Sequence, residues 1–336
     1  MSTLNRRNFV KSMTIGAGLL AALPLSSRLA LAQQNQTVNY GGSQWLGHYP
    51  AYVGMQNGTF ETNKIKLGWE SFGTSSGRMS ALMAGNIDIA GTGVVSAIAL
   101  MARNVERFYL IGVPENFGRV EGLFTQEDVN SVNDLRGKTI GTTFASSSHM
   151  LVLDLLAQNN LKVDTDVNVV NVPAPELPAA LQSKQIDACA TWTPYFNQIS
   201  NMPGIKLLAD DTEFSLYKEF GVTPGPDVLV VSKSFADKNP DLVKAFAVAY
   251  FETCALLGSE PEKAVDILTE LTQLSADEQL QTIKDADWYD LATQKSMLEK
   301  DSKFIEGLQK LADMLVEFGQ IDKSPEVARW VKADFV

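Results

Sequence analysis

Two acidic residues and one run of hydroxyls hold most of the chemistry that this 336-residue sequence offers. The run is Thr142-Thr143-Phe144-Ala145-Ser146-Ser147-Ser148-His149, which reads as a strand passing into a helix. Hydroxyls and free backbone N–H groups converge there on the positive end of a helix dipole, a setting that holds an anion without a cationic side chain. Plain N-capping by one serine accounts for the same residues equally well. Gly73-Thr74-Ser75-Ser76-Gly77 leads into a helix at Arg78 in the same way, and its plain reading is a flexible turn. The acids are Glu121 and Asp227. Either alone reads as a solvated surface charge. At the two points where the chain crosses between halves they form a pair, and two buried carboxylates are costly without a cationic group between them. Aromatic residues stand nearby: Gln44-Trp45 and His48-Tyr49 in the loop after the first strand, and Trp192 at the end of a later one. Such rings wall a ligand or close a core.

Catalysis finds little support. There are only two histidines, His48 and His149, and neither has a Gly-x-Ser-x-Gly nucleophile motif beside it. No catalytic residue, cofactor or metal is expected, since no Cys or His cluster has ligand spacing. Cys189 reads as a strand residue and Cys254 as a helix residue, and the sequence leaves their pairing open.

The elements that position these residues begin after an export signal. Asn5-Arg6-Arg7-Asn8-Phe9-Val10-Lys11 is a basic segment with paired arginines, Met13 to Leu25 is weakly apolar, and Ala30-Leu31-Ala32 is a cleavage site. Residues 1–32 are therefore read as a twin-arginine-like signal peptide, with the mature protein starting near Gln33 and free in the periplasm. Its loss removes four cationic residues and moves the formal charge from −11 to −15. That acidic surface argues against nucleic acid or an anionic membrane as partner. No stable membrane insertion is expected, because no other span stands out.

About 300 mature residues exceed what one core usually serves, so two lobes are expected. Ala81-Leu82-Met83-Ala84-Gly85-Asn86-Ile87-Asp88-Ile89 and, ninety-nine residues later, Ala180-Leu181-Gln182-Ser183-Lys184-Gln185-Ile186-Asp187-Ala188 follow one plan of helix, turn and buried strand. Strands are expected at 37–40, 66–71, 87–91 and 108–113, then at 138–142, 167–172 and 186–191, with a return at 228–232. Helical patterns lie between them and after them, so the sheets should be mostly parallel. Crossover strands near 122–125 and 227–231 divide the chain into lobe 1 (33–121 and 228–336) and lobe 2 (122–227). Open α/β sheets bind ligands beyond the carboxyl ends of their strands, which places the site in the cleft between the lobes.

Three segments carry a resemblance. Gly141–Leu151, with Phe144, Ser146–Ser148 and His149, resembles the anion-binding segment of the taurine, aliphatic-sulfonate and nitrate-binding protein family. Ile186–Pro194 resembles its strand ending in Trp-x-Pro. Pro226–Ala236, followed by Asn239-Pro240, resembles its returning crossover. The likeness runs from about Thr37 to Val336, and the acids at both crossovers resemble the taurine-binding members. It implies an α/β, two-lobed type II periplasmic binding protein fold serving an ABC importer, with an inner-membrane permease as partner. It also implies a small zwitterionic or amine ligand. Ser146, Ser147 and His149 would hold a sulfonate, Glu121 and Asp227 an ammonium, and Trp192 would lie over it. Gln44, Trp45, His48, Gly93 and Val94 complete the implied ligand-binding set. One departure stands out: Val94-Val95 follow Gly91-Thr92-Gly93 where the family commonly offers hydroxyls. Another cationic or zwitterionic amine is therefore an alternative to taurine. A thiamine-pyrimidine-synthesis-type enzyme on the same fold is a further alternative, against which the export signal speaks.

Overall fold

The computed structural model describes residues 36–336, so the signal segment lies outside the described residues. The strands are β1 (Gln36–Gly42), β2 (Ile65–Ser71), β3 (Ile89–Gly93), β4 (Phe108–Gly112), β5 (Glu115–Phe117), β6 (Glu121–Gln126), β7 (Thr139–Thr142), β8 (Asn168–Asn171), β9 (Ala188–Trp192), β10 (Ile205–Asp210), β11 (Asp227–Ser232) and β12 (Ala286–Trp288). Two five-stranded sheets result, ordered β2-β1-β3-β11-β4 and β10-β6-β9-β7-β8.

The two sheets share one plan. In the first, β1 is parallel to β2 and β3, while the returning β11 is antiparallel to both β3 and β4. In the second, β7 is parallel to β8 and β9, while β6 is antiparallel to both β9 and β10. Each sheet thus carries one reversed strand, and that strand is the one on which the chain changes sheets. Both faces of these central strands are covered: every residue of β11 is buried, as is all of β6 except Gln126. This is why they read as apolar runs rather than alternating ones.

Helix placement follows local chemistry. The helix Ser147–Gln158 is capped by Ser146, whose hydroxyl accepts from His149 N at 3.2 Å. The helix Lys303–Glu317 is capped by Ser302 and buries Phe304, Leu308, Leu311 and Leu315 along one face. The helix Pro240–Ser259 is long and apolar enough to cross a membrane, which corrects the expectation that no other such segment exists in the chain. Half of it is buried, with Val243, Phe246, Tyr250 and Phe251 packed on Val38, Ile89 and Leu229 of the first sheet. Its apolarity serves that core.

Cys254 lies in the same cluster, whereas Cys189 lies under the second sheet with Phe124, Leu181 and Ile199. Both are buried free thiols. Glu121 opens a second-sheet strand and Asp227 a first-sheet strand, so each stands one residue inside the sheet opposite to the lobe in which the sequence reading placed it. The edge strand β10 and the two-stranded pairing of β5 with β12 were not expected from the sequence.

Candidate functional site

The repeated strands bring the two acids into equivalent places. Asp227, first residue of β11, pairs with Gly93, last residue of β3. Glu121, first residue of β6, pairs with Trp192, last residue of β9. Gly93 and Trp192 are themselves ninety-nine residues apart, the period of the sequence repeat. Each acid therefore sits where a parallel strand ends and the reversed strand begins, the position at which these sheets open a ligand crevice.

The segment before Asp227 ties the two halves of the site together. The Pro226 carbonyl accepts from Val94 N at 2.9 Å, at the start of the helix Val94–Ala102. Gly225 lies against Ser147, and a Cβ there would fall 2.6 Å from that of Ser147. Gly47 lies against Asp227 so closely that a Cβ would sit 1.9 Å from Oδ2. Only glycine permits either approach.

Asp227 is buried and accepts a short hydrogen bond from the Trp45 indole N–H. Burial pushes its carboxyl up to about 6, with the Trp45 bond and the charge of Arg78 acting in the opposite sense. Glu121 is also buried, and its Oε1 accepts from the Ser147 hydroxyl at 2.7 Å and from the Ser148 hydroxyl. Burial raises it to about 6, offset first by the two serines and then by Asp211 beside it. Near neutral pH both acids are largely ionised, and the charge of Asp227 raises Glu121.

The serine-rich turn is thus spent mostly inside the protein. Ser146 caps the helix and donates to the Thr143 carbonyl at 2.6 Å. Ser147 and Ser148 serve Glu121. His149 is buried, held neutral by that burial, and stacked on Phe144 with ring centroids 4.5 Å apart. Between the two readings of the turn, capping accounts for Ser146. Stabilising Glu121 accounts for Ser147 and Ser148, a role the sequence did not suggest.

A cleft of about 540 Å³ is walled by both halves. Gln44, Trp45 and Phe72 line one side, and Trp192, Thr193 and Tyr195 the other. Of the residues expected from sequence, Gln44, Trp45 and Trp192 face this cleft. Asp227 stands behind Trp45 through the indole hydrogen bond, and Glu121 stands beside Trp192 through strand pairing. Val94 and His48 are buried, and His48 Nδ1 meets the Ser43 hydroxyl at 2.9 Å.

Four more polar groups share this region without having been read from the sequence. Glu115 is fully buried, and burial, then the charge of Asp227, push it well above the usual carboxylate range, with the Asp227 backbone acting in the opposite sense. Asp211 is raised in the same way by burial and then by Glu121. The Tyr40 hydroxyl is buried without a hydrogen-bond partner among the described residues. Arg78 is 3% exposed and has no carboxylate within ion-pair distance among the described residues. A signal existed for Arg78: it shares a helix face with Met79 and Leu82, both buried, so a charge sits on an apolar stripe.

A profile of the NMT1-like family matches residues 32–271. The taurine-binding periplasmic protein of Escherichia coli (strain K12) is 30% identical over 230 residues, 68% of each chain. A Brucella abortus (strain 2308) chain named as a binding protein is 26% identical over 324 residues, 96% of this chain and 95% of that one. Among solved structures, the periplasmic aliphatic sulphonate binding protein SsuA from Escherichia coli superposes with a TM-score of 0.75 at 21% identity, covering 88% of this chain and 97% of that one. The periplasmic nitrate-binding protein NrtA from Synechocystis PCC 6803 gives 0.67 at 13% identity, covering 89% and 87%. These two structures carry the fold: two α/β halves in the periplasmic binding protein arrangement.

Proposed function

This chain belongs to the NMT1-like family, alongside taurine- and sulfonate-binding periplasmic proteins, and from that premise we propose that it captures a small ligand bearing an ammonium group. It is a binding protein of the ABC-importer type and not an enzyme. The observation that carries the ligand reading is the pair of buried acids, Asp227 and Glu121, at equivalent strand junctions, each joined to a cleft-lining tryptophan, Trp45 and Trp192. Two ionised carboxylates held in low dielectric gain most from a cation placed between them.

In this reading the ammonium is held by Asp227 and Glu121, with Trp192 and Trp45 lying against it as aromatic walls. Gln44 reaches the ligand from the cleft rim, while His48, Gly93, Val94, Ser146, Ser147 and His149 shape the floor behind it. Taurine or a similar amino-sulfonate is the leading ligand, supported by the relative that binds taurine by name. A cationic amine without the sulfonate fits the acids equally well. Closure of the two halves buries the ligand, and the closed form is what an inner-membrane permease recognises. The protein works in the periplasm, after removal of residues 1–32. Calorimetric titration of the mature protein with taurine tests the assignment. Saturable binding at micromolar ligand is expected, and no heat at millimolar ligand overturns taurine.

A further inference from the structure

A buried guanidinium with no carboxylate within ion-pair distance among the described residues is the least expected feature of the molecule. Arg78 lies on the helix Ser75–Ala84, which follows Phe72 and Gly73 of the cleft wall in the chain, and both Arg78 and Phe72 pack against Gly41. Its Nε donates to the Gly91 carbonyl at 2.5 Å and its Nη2 to the Ser75 hydroxyl at 3.2 Å. Nη1 meets no protein acceptor among the described residues, and it is not among the fully enclosed unpaired atoms. Three of the five N–H groups of the fork are therefore unused. Burying such a charge is costly unless an anion meets it.

Two further donors converge on the same backbone position. A Cβ on Gly91 would lie 2.4 Å from the His48 ring and 2.6 Å from the Tyr40 hydroxyl, so both rings press on this glycine. The Tyr40 hydroxyl and His48 Nε2 are both enclosed and meet no hydrogen-bond partner among the described residues. Ser43 Oγ accepts from Trp45 N at 3.3 Å and lies 2.9 Å from His48 Nδ1. With the Ser43 hydroxyl donating to Nδ1, Nε2 carries the ring hydrogen and is a donor. Burial and the neighbouring Arg78 hold the ring neutral. The unused N–H groups of Arg78, the Tyr40 hydroxyl and His48 Nε2 thus gather around Gly91.

The other anion-binding features are occupied or absent. Val94 N is taken by Pro226, and Gly93 gives the following helix no side-chain cap. The hydroxyls of Ser147 and Ser148 go to Glu121. We propose that Arg78, assisted by the Tyr40 hydroxyl and His48 Nε2–H, is the receptor for the anionic end of the ligand. This rests on the reading of Asp227 and Glu121 as the seat of the cationic end. A planar oxyanion edge, sulfonate or carboxylate, meets the guanidinium fork while the ammonium stays with Asp227. Arg78 thereby supplies the donors that Val94-Val95 do not.

The test uses methanesulfonate as the anionic probe and ethylamine as the cationic one. Each is titrated into wild type, R78Q, R78K and Y40F at constant ionic strength, with melting temperature as readout. Methanesulfonate should raise the wild-type Tm saturably, and R78Q should weaken that response by at least about tenfold. R78K, which keeps the charge and loses the fork, should fall between. Y40F removes only an unpaired hydroxyl and keeps the ring stacked on Trp69 and Phe246, at 5.6 and 6.2 Å between centroids. It should fold normally and weaken methanesulfonate about threefold or more, so it decides the matter if R78Q does not fold. Ethylamine should respond equally in wild type and Y40F. No saturable methanesulfonate response in wild type, or an undiminished one in both R78Q and Y40F, overturns the assignment. Loss of ethylamine binding with methanesulfonate binding intact instead overturns the cation reading and leaves Arg78 standing.

Discussion

Replacing Asp227 with asparagine separates what the acid does for the ligand from what it does for the fold. Asparagine is nearly isosteric with aspartate and keeps an acceptor for the Trp45 indole, so the substitution removes a charge with little change of shape. For an ammonium ligand, the lost charge-assisted hydrogen bond is worth about 2 kcal/mol or more. That is about thirtyfold in Kd. The effect on stability should run the other way. Burial raises the carboxyl from 3.8 to about 6, so the folded state holds its proton more tightly than the unfolded chain does. Wild-type stability therefore falls as pH rises from about 4 to about 6 on account of this residue, by up to about 3 kcal/mol, and levels off above. D227N lacks that fall. Against wild type its melting temperature should improve between pH 4 and pH 7.5, while its affinity for taurine and ethylamine drops at pH 7.5. Calorimetry and thermal melts on the same preparations read both. Unchanged affinity, or a D227N protein that melts lower at pH 7.5 in step with its loss of binding, would refute the reasoning.

Three further outcomes follow from the same geometry. Because burial sets Asp227 and Glu121 both near 6, affinity for an ammonium ligand should be flat above about pH 7. Below 6 it should fall by about tenfold per pH unit for each acid, as titrations from pH 7.5 to 4.5 will show. G47A should weaken binding more than tenfold and lower stability by about 1–3 kcal/mol, since its Cβ would displace Asp227; affinity and melting measurements read the two losses. Cys189 and Cys254 should resist a thiol reagent in the native protein and both react after denaturation without reductant, because they are buried and unpaired in separate cores.

The sequence conveyed the scaffold well for a physical reason. Central strands such as Asp227–Ser232 and Ile89–Gly93 are covered on both faces, so burial writes itself into an apolar run. The helix–turn–strand repeat carried the symmetry that places Glu121 and Asp227 opposite Trp192 and Gly93. The edge strand Ile205–Asp210 escaped because it is mostly half-exposed and pairs on one side only. The polar floor was less legible. Glu115, Asp211 and Tyr40 meet the site through packing between segments far apart in the chain, and no local spacing announces that. The serine run was visible, but the partner of Ser147 and Ser148 lies twenty-six and twenty-seven residues upstream on another strand. Local spacing shows hydroxyls at a helix start, but not that those of Ser147 and Ser148 turn to Glu121.

A crystal structure of the mature protein grown with taurine at pH 7.5 tests the central claim most directly. The account predicts one taurine molecule in the cleft between Trp45 and Trp192, its ammonium nitrogen about 2.7–2.9 Å from an Asp227 carboxylate oxygen. A taurine bound with its sulfonate toward Asp227, or a cleft left empty at saturating taurine, would contradict it.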